Sequence, residues 1–193
     1  MKKRISKVIL ATALLFGSVA TNIKASEKVD FVAIGDSITT GYGLPGYTAN
    51  PPYAEDSFVE VLKETKSFNT TNMGKDGITS EMLIQGFQLM SGPQKTIIQE
   101  ADVISVTIGG NDLLSRFMGD IATKLGIDPR DTAAIITVLS KPDLKQSVII
   151  GMVLNDIKND LPNMVQTFST NLNTIIQNIK AINPDGKIIV QTI

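Results

Sequence analysis

Three short stretches of the chain hold residue types that could do chemistry together. Gly35-Asp36-Ser37 supplies a hydroxyl, and Asn72-x-Gly74-x-x-Gly77-x-Thr79 supplies a backbone N–H with no side chain to shield it. Gly109-Gly110-Asn111-Asp112 supplies a side-chain amide. A serine hydroxyl beside two converging N–H donors is a nucleophile next to an oxyanion hole, the apparatus of acyl transfer. The spacing is regular: Gly74 follows Ser37 by 37 residues, and Asn111 follows Gly74 by 37. A strand–helix–strand unit needs about 30 residues or more. Each stretch therefore falls one such unit after the last, at the same carboxyl edge of a parallel sheet. That edge is where open α/β sheets bind ligands.

Taken singly, the three signals are ordinary. A serine after a strand commonly does no more than cap a helix, and Gly-Gly-Asn-Asp alone is commonly a turn. Asn-x-Gly-x-x-Gly alone is compatible with a phosphate loop, though the P-loop lysine and the dinucleotide G-x-G-x-x-G are both missing. The G-x-S-x-G elbow is also missing, since Thr39 stands in the place of its last glycine. The order and the equal steps carry the signal.

Absent residue types narrow the chemistry further. The 193 residues contain no Cys and no His. There is thus no disulfide framework, thiol nucleophile or thiolate metal site, and the commonest general base and metal ligand is missing. Net charge is −1, but residues 1–25 hold five basic groups and no acid. The remainder has 13 basic and 19 acidic residues, a net of −6. An acidic domain with 5% aromatics and no Trp is poorly suited to gripping nucleic acid. Hydrophobic residues make up 42%, enough for a sizeable core.

Elements that could position the three stretches follow from periodicity. Val29–Ile34 reads as a short buried strand, and Phe68–Met73, Val103–Ile108 and Lys187–Ile193 as three further strands. Residues 54–66, Ser80–Met90 and Leu161–Ile182 read as amphipathic helices. Strands separated by helices imply a parallel sheet with right-handed crossovers. Residues 127–160 read as a helical insertion of two helices, either ordinary packing or a cap over a ligand pocket. Chain termination inside the apolar run 187–193 reads as the front part of something longer, cut after the fourth strand.

At the other end, a basic head, the apolar run Val8–Phe16 and the small residues after it read as a secretory signal peptide over residues 1–25. The apolar run is too short for the roughly 20 residues of a spanning helix. Cleavage is expected after Ala25, or alternatively after Ala20, with the mature domain at 26–193 exported and no stable membrane span left.

With these motifs in place, the chain resembles the GDSL, or SGNH, lipase/acylhydrolase family. VAIGDSITTGYG (32–43) is similar to its first block, NMGKDGITS (72–80) to its second and IGGND (108–112) to its third. The resemblance implies a flavodoxin-like three-layer α/β/α sandwich. It implies Ser37 as nucleophile, with Ser37 N–H, Gly74 and Asn111 as oxyanion donors, a small-molecule or lipid ester as substrate, and no cofactor or metal. The family's last block, Asp-x-x-His, supplies the general base. It is absent here, which leaves the chain weak or inactive as a hydrolase unless a complementing C-terminal segment provides the base. The alternative is a non-catalytic truncated product, or a lipid- or glycan-binding pseudoenzyme.

Overall fold

The computed structural model describes residues 28–65 and 67–191. The signal peptide read in residues 1–25 lies outside them. In chain order the elements are β1 (Val29–Gly35), α1 (Ser37–Thr40), β2 (Thr48–Ala49), β3 (Pro52–Tyr53), α2 (Phe58–Glu64), β4 (Phe68–Gly74), α3 (Ser80–Leu89), α4 (Gly92–Gln99), β5 (Val103–Thr107), α5 (Gly110–Leu125), α6 (Thr132–Ser140), α7 (Leu144–Ile182) and β6 (Lys187–Gln191).

Four of the strands form one sheet in the order β4-β1-β5-β6, and all its pairings are parallel. From β1 the chain steps one way to β4, then returns past β1 to β5. The strand order reverses between β1 and β5, and such a switch point opens a crevice at the carboxyl ends of the two strands.

Alternation along the strands sorts side chains to two faces. Val32 and Ile34 of β1, with Ile104 and Val106 of β5, pack against Leu83, Phe87, Ile98, Ile175 and Ile179 from α3, α4 and α7. Phe31 and Ala33 point the other way, onto Val59 of α2. The Phe31 and Phe68 rings meet edge-on on that side, 6.0 Å apart. Each buried aliphatic side chain contributes about 1.5–3 kcal/mol. Helices on both faces of a parallel sheet make the three-layer α/β/α sandwich that the sequence implied. A further cluster joins Ile121 and Ala122 of α5, Ile135 of α6, and Val153 and Ile157 of α7.

Several boundaries differ from the sequence expectation, each for a local reason. The helix expected over 54–66 begins at Phe58, because Ser57 caps it by accepting from Glu60 N. Gly92-Pro93 starts α4 rather than breaking the chain. Ser91 and Gln94 form a capping box there, and proline is tolerated in a first turn. The second of two helices expected in 127–160 is not separate: α7 runs unbroken through Pro162. An interior proline costs about 3 kcal/mol. Here both halves of the helix are pinned, one by Val153 and Ile157, the other by Ile175 and Ile179.

Candidate active site

Ser37 stands at the strand-to-helix turn after β1, as the first residue of α1. The turn is tight because Gly35 and Thr107 are in close contact across the switch point. A Cβ on Gly35 would lie 2.2 Å from the Thr107 carbonyl oxygen, and Gly35 has φ 151°. Only glycine fits such an approach. Asp36 follows, 2% exposed. Its carboxylate accepts from Ile38 N and from Thr107 Oγ1, both at 3.1 Å, which caps α1 and ties it to β5. Thr39 Oγ1 adds a bond to Thr107 Oγ1 at 2.6 Å. Ser37 itself is half-buried, and its hydroxyl bonds no other side chain or backbone group among the described residues.

The second stretch ends the neighbouring strand. Gly74 is paired with Gly35 across β1 and β4, and Lys75 N donates to Gly35 O at 2.8 Å. Gly74 packs against Thr39: an added Cβ would sit 2.7 Å from Thr39 Cγ2. The Gly74 N–H donates to Asn72 Oδ1 at 2.9 Å, while Asn72 Nδ2 donates to Thr39 O at 2.9 Å. The donor expected to face a substrate oxygen is thus held by Asn72 in this structure.

From the other side of β1, β5 delivers the third stretch. Thr107 pairs with Gly35, and Asn111 is the second residue of α5. Asn111 Nδ2 donates one proton to Ile78 O at 3.0 Å, bridging to the loop before α3. A primary amide carries two donors, so one N–H remains. Asp112, next along, accepts from Ser80 N at 2.9 Å and from Ser80 Oγ. Ser80 Oγ in turn accepts from Asn171 Nδ2 at 2.9 Å. Asp112 therefore locks the starts of α3 and α5 to α7.

Asp76 belongs to the site's framework, and no sequence motif singled it out. Tyr47 OH and Thr40 Oγ1 donate to its two carboxylate oxygens. Thr40 Oγ1 also lies 3.1 Å from Ser37 O. The bond to Asp76 raises the Tyr47 hydroxyl above its ordinary value. Tyr42 packs edge-on against Tyr47, with 5.2 Å between ring centroids. No periodic signal links Asp76 to a tyrosine 29 positions away. Beside Gly74 runs a groove of about 710 Å³, lined mainly by apolar side chains including Met73, Ile78, Met82 and Leu83.

Ser37, Gly74 and Asn111 thus stand at one edge of the 4-stranded parallel sheet. The chain belongs to the GDSL-like lipase/acylhydrolase family, whose model matches residues 33–193. It is similar to the uncharacterized protein YpmR of Bacillus subtilis, with 30% identity over 127 residues, 59% of this chain and 48% of YpmR. Among solved structures it resembles a phospholipase A1 from Streptomyces albidoflavus, with a TM-score of 0.56 and 17% identity. It also resembles an extracellular lipase from Streptomyces rimosus, with a TM-score of 0.51 and 19% identity. Both matches cover 84% of this chain and 58% of the other. The chain thus spans about half the length of the curated relative, and under two thirds of these two structures.

Proposed function

We propose that the protein is an exported serine ester hydrolase with Ser37 as nucleophile. The tetrahedral oxyanion would be met by Ser37 N–H, Gly74 N–H and the second N–H of Asn111. The observation that carries this reading is the position of Ser37: a hydroxyl without a partner among the described residues, at the switch point, after the strand that lies between the one ending at Gly74 and the one leading to Asn111. Acylation would join Ser37 Oγ to the substrate carbonyl carbon and expel the alcohol; water would then release the acid. Gly74 becomes a donor only when Asn72 Oδ1 rotates off it. The apolar groove beside Gly74 suits an acyl chain, and a small-molecule or lipid ester is the substrate class.

A hydroxyl is a weak nucleophile until a base takes its proton. The 193 residues contain no imidazole to do this. Asp36 and Asp112 are both committed to helix starts. By its likeness to the family, the chain would take its base from an Asp-x-x-His block in a further segment. A chain extended by such a segment should hydrolyse p-nitrophenyl esters, and Asn111→Ala should lower its kcat by about 10²–10³. Unchanged turnover in Asn111→Ala would remove Asn111 from the oxyanion hole.

The missing imidazole also favours a second reading, in which the chain binds an ester without turning it over. Retention of a radiolabelled lipid ester by the 193-residue chain, with no acid released, would separate the two.

A further inference from the structure

The first half of α7 is apolar on more than the side it buries. Val153 and Ile157 turn inward to α5 and α6. Leu144, Val148 and Met152, spaced by four, form a line on the outside, with exposures of 85%, 58% and 53%. Ile136 of α6 is also half exposed. A helix apolar all round is normally covered on every side, and a contiguous exposed apolar patch marks an interaction surface.

Charge around the line identifies the partner. At about 100° per residue the line covers roughly 80° of the helix surface; Lys145, directly after Leu144, borders one side of it, and Lys158, about 9 Å along the axis beyond Met152, borders the other. Two acidic groups nearby are paired with cations. Asp156 pairs with Lys124 at 3.3 Å, and Asp160 with Arg116 at 3.2 Å. Asp143 caps α7, accepting from Gln146 N at 2.7 Å. Lys141, Lys145 and Lys158 are exposed and make no ion pair among the described residues. An apolar stripe edged by free lysines, on a domain that is otherwise acidic, is the pattern of a helix lying in a lipid interface.

Other occupants fit the charge less well. A second copy on a two-fold axis would set the same patch against itself, bringing Lys145 and Lys158 against like charge. Residues 1–25 carry five basic groups and no acid, so they too would add positive to positive. We propose that the α6–α7 elbow is a docking surface for an anionic lipid bilayer, with Leu144, Val148 and Met152 entering the headgroup boundary and Lys145 and Lys158 meeting its phosphates. The surface is separate from the Ser37 site, and its test needs no turnover.

The chain contains no Trp, so a single introduced indole reports only its own surroundings. Leu144→Trp in the 193-residue chain should show a blue-shifted emission with phosphatidylglycerol vesicles, quenched by brominated lipid. Pure phosphatidylcholine should give little shift. Val61→Trp, exposed on α2 across the sheet, should not shift with either. The apolar, basic residues 1–25 could carry the chain to vesicles, but could not by themselves move an indole on α7 into lipid. Adding Lys145→Gln and Lys158→Gln to Leu144→Trp should raise the lipid needed for half the shift roughly 20–30-fold, at about 1 kcal/mol per lysine. An unshifted emission from Leu144→Trp, an equal shift from Val61→Trp, or an unchanged titration would overturn the proposal. So would a shift that follows protein concentration without lipid, which would assign the surface to a second copy.

Discussion

Thr107 Oγ1 donates to Asp36 Oδ1 at 3.1 Å, fastening the residue before Ser37 to the neighbouring strand of the sheet. The same carboxylate caps α1 through Ile38 N. The acid closest to Ser37 in sequence is therefore a structural anchor. Asp36→Ala removes a cap and leaves a buried hydroxyl without its acceptor, which should cost about 1–3 kcal/mol. Asp36→Asn keeps an acceptor at Oδ1 and should cost less. Urea denaturation of the two variants checks the order.

The Gly35–Thr107 contact makes a sharper prediction. Gly35→Ala puts a methyl 2.2 Å from a backbone oxygen at φ 151°. Overpacking and backbone strain, each about 1–3 kcal/mol, should together remove a large part of the stability. Gly43 has φ 85° but nothing within 4 Å of an added Cβ. Gly43→Ala should cost only the left-handed penalty of about 1–2 kcal/mol. Thermal melts of both would show whether the close approach, and not the backbone angle alone, demands glycine at 35.

Tyr47 ties stability to alkaline pH. Its bond to Asp76 raises the hydroxyl above the ordinary 10.0. The folded value exceeds the unfolded one, so the contribution is complete below about pH 10 and is lost as pH rises through the folded value. The denaturation midpoint should fall more steeply above about pH 10 in the native chain than in Tyr47→Phe. Parallel slopes would mean that the Tyr47–Asp76 contact contributes nothing.

Much of this framework was legible in the sequence. The strands β1, β5 and β6 are short apolar runs, and the 37-residue steps assign three motifs to one sheet edge. Contacts between distant polar residues were not legible. Nothing in the sequence says that Asp76 holds Tyr47, or that Asn72 turns its amide onto Gly74. Such pairs depend on loop geometry rather than periodicity. The continuity of α7 was hidden for a different reason: Pro162 argues locally for a boundary, and tertiary packing on both halves overrides it.

Export is a separate prediction from the first 25 residues. N-terminal sequencing of protein recovered outside the cell should begin near Ser26, or at Thr21 if Ala20 is the cleavage site. An intact Met1 on protein confined to the cytoplasm would contradict it.

The central claim is that Ser37 is a nucleophile whose base these 193 residues do not contain. The most direct measurement is p-nitrophenyl acetate hydrolysis by three proteins side by side. They are the 193-residue chain, the same chain extended by an Asp-x-x-His segment from a family member, and the extended chain with Ser37→Ala. Loss of the base from a serine triad costs on the order of 10⁶ in kcat, and the oxyanion hole and binding retain roughly 10³–10⁴ over water. The account predicts a rate near background for the first, a large gain for the second, and loss of that gain in the third. Robust turnover by the 193-residue chain that Ser37→Ala abolishes would contradict it.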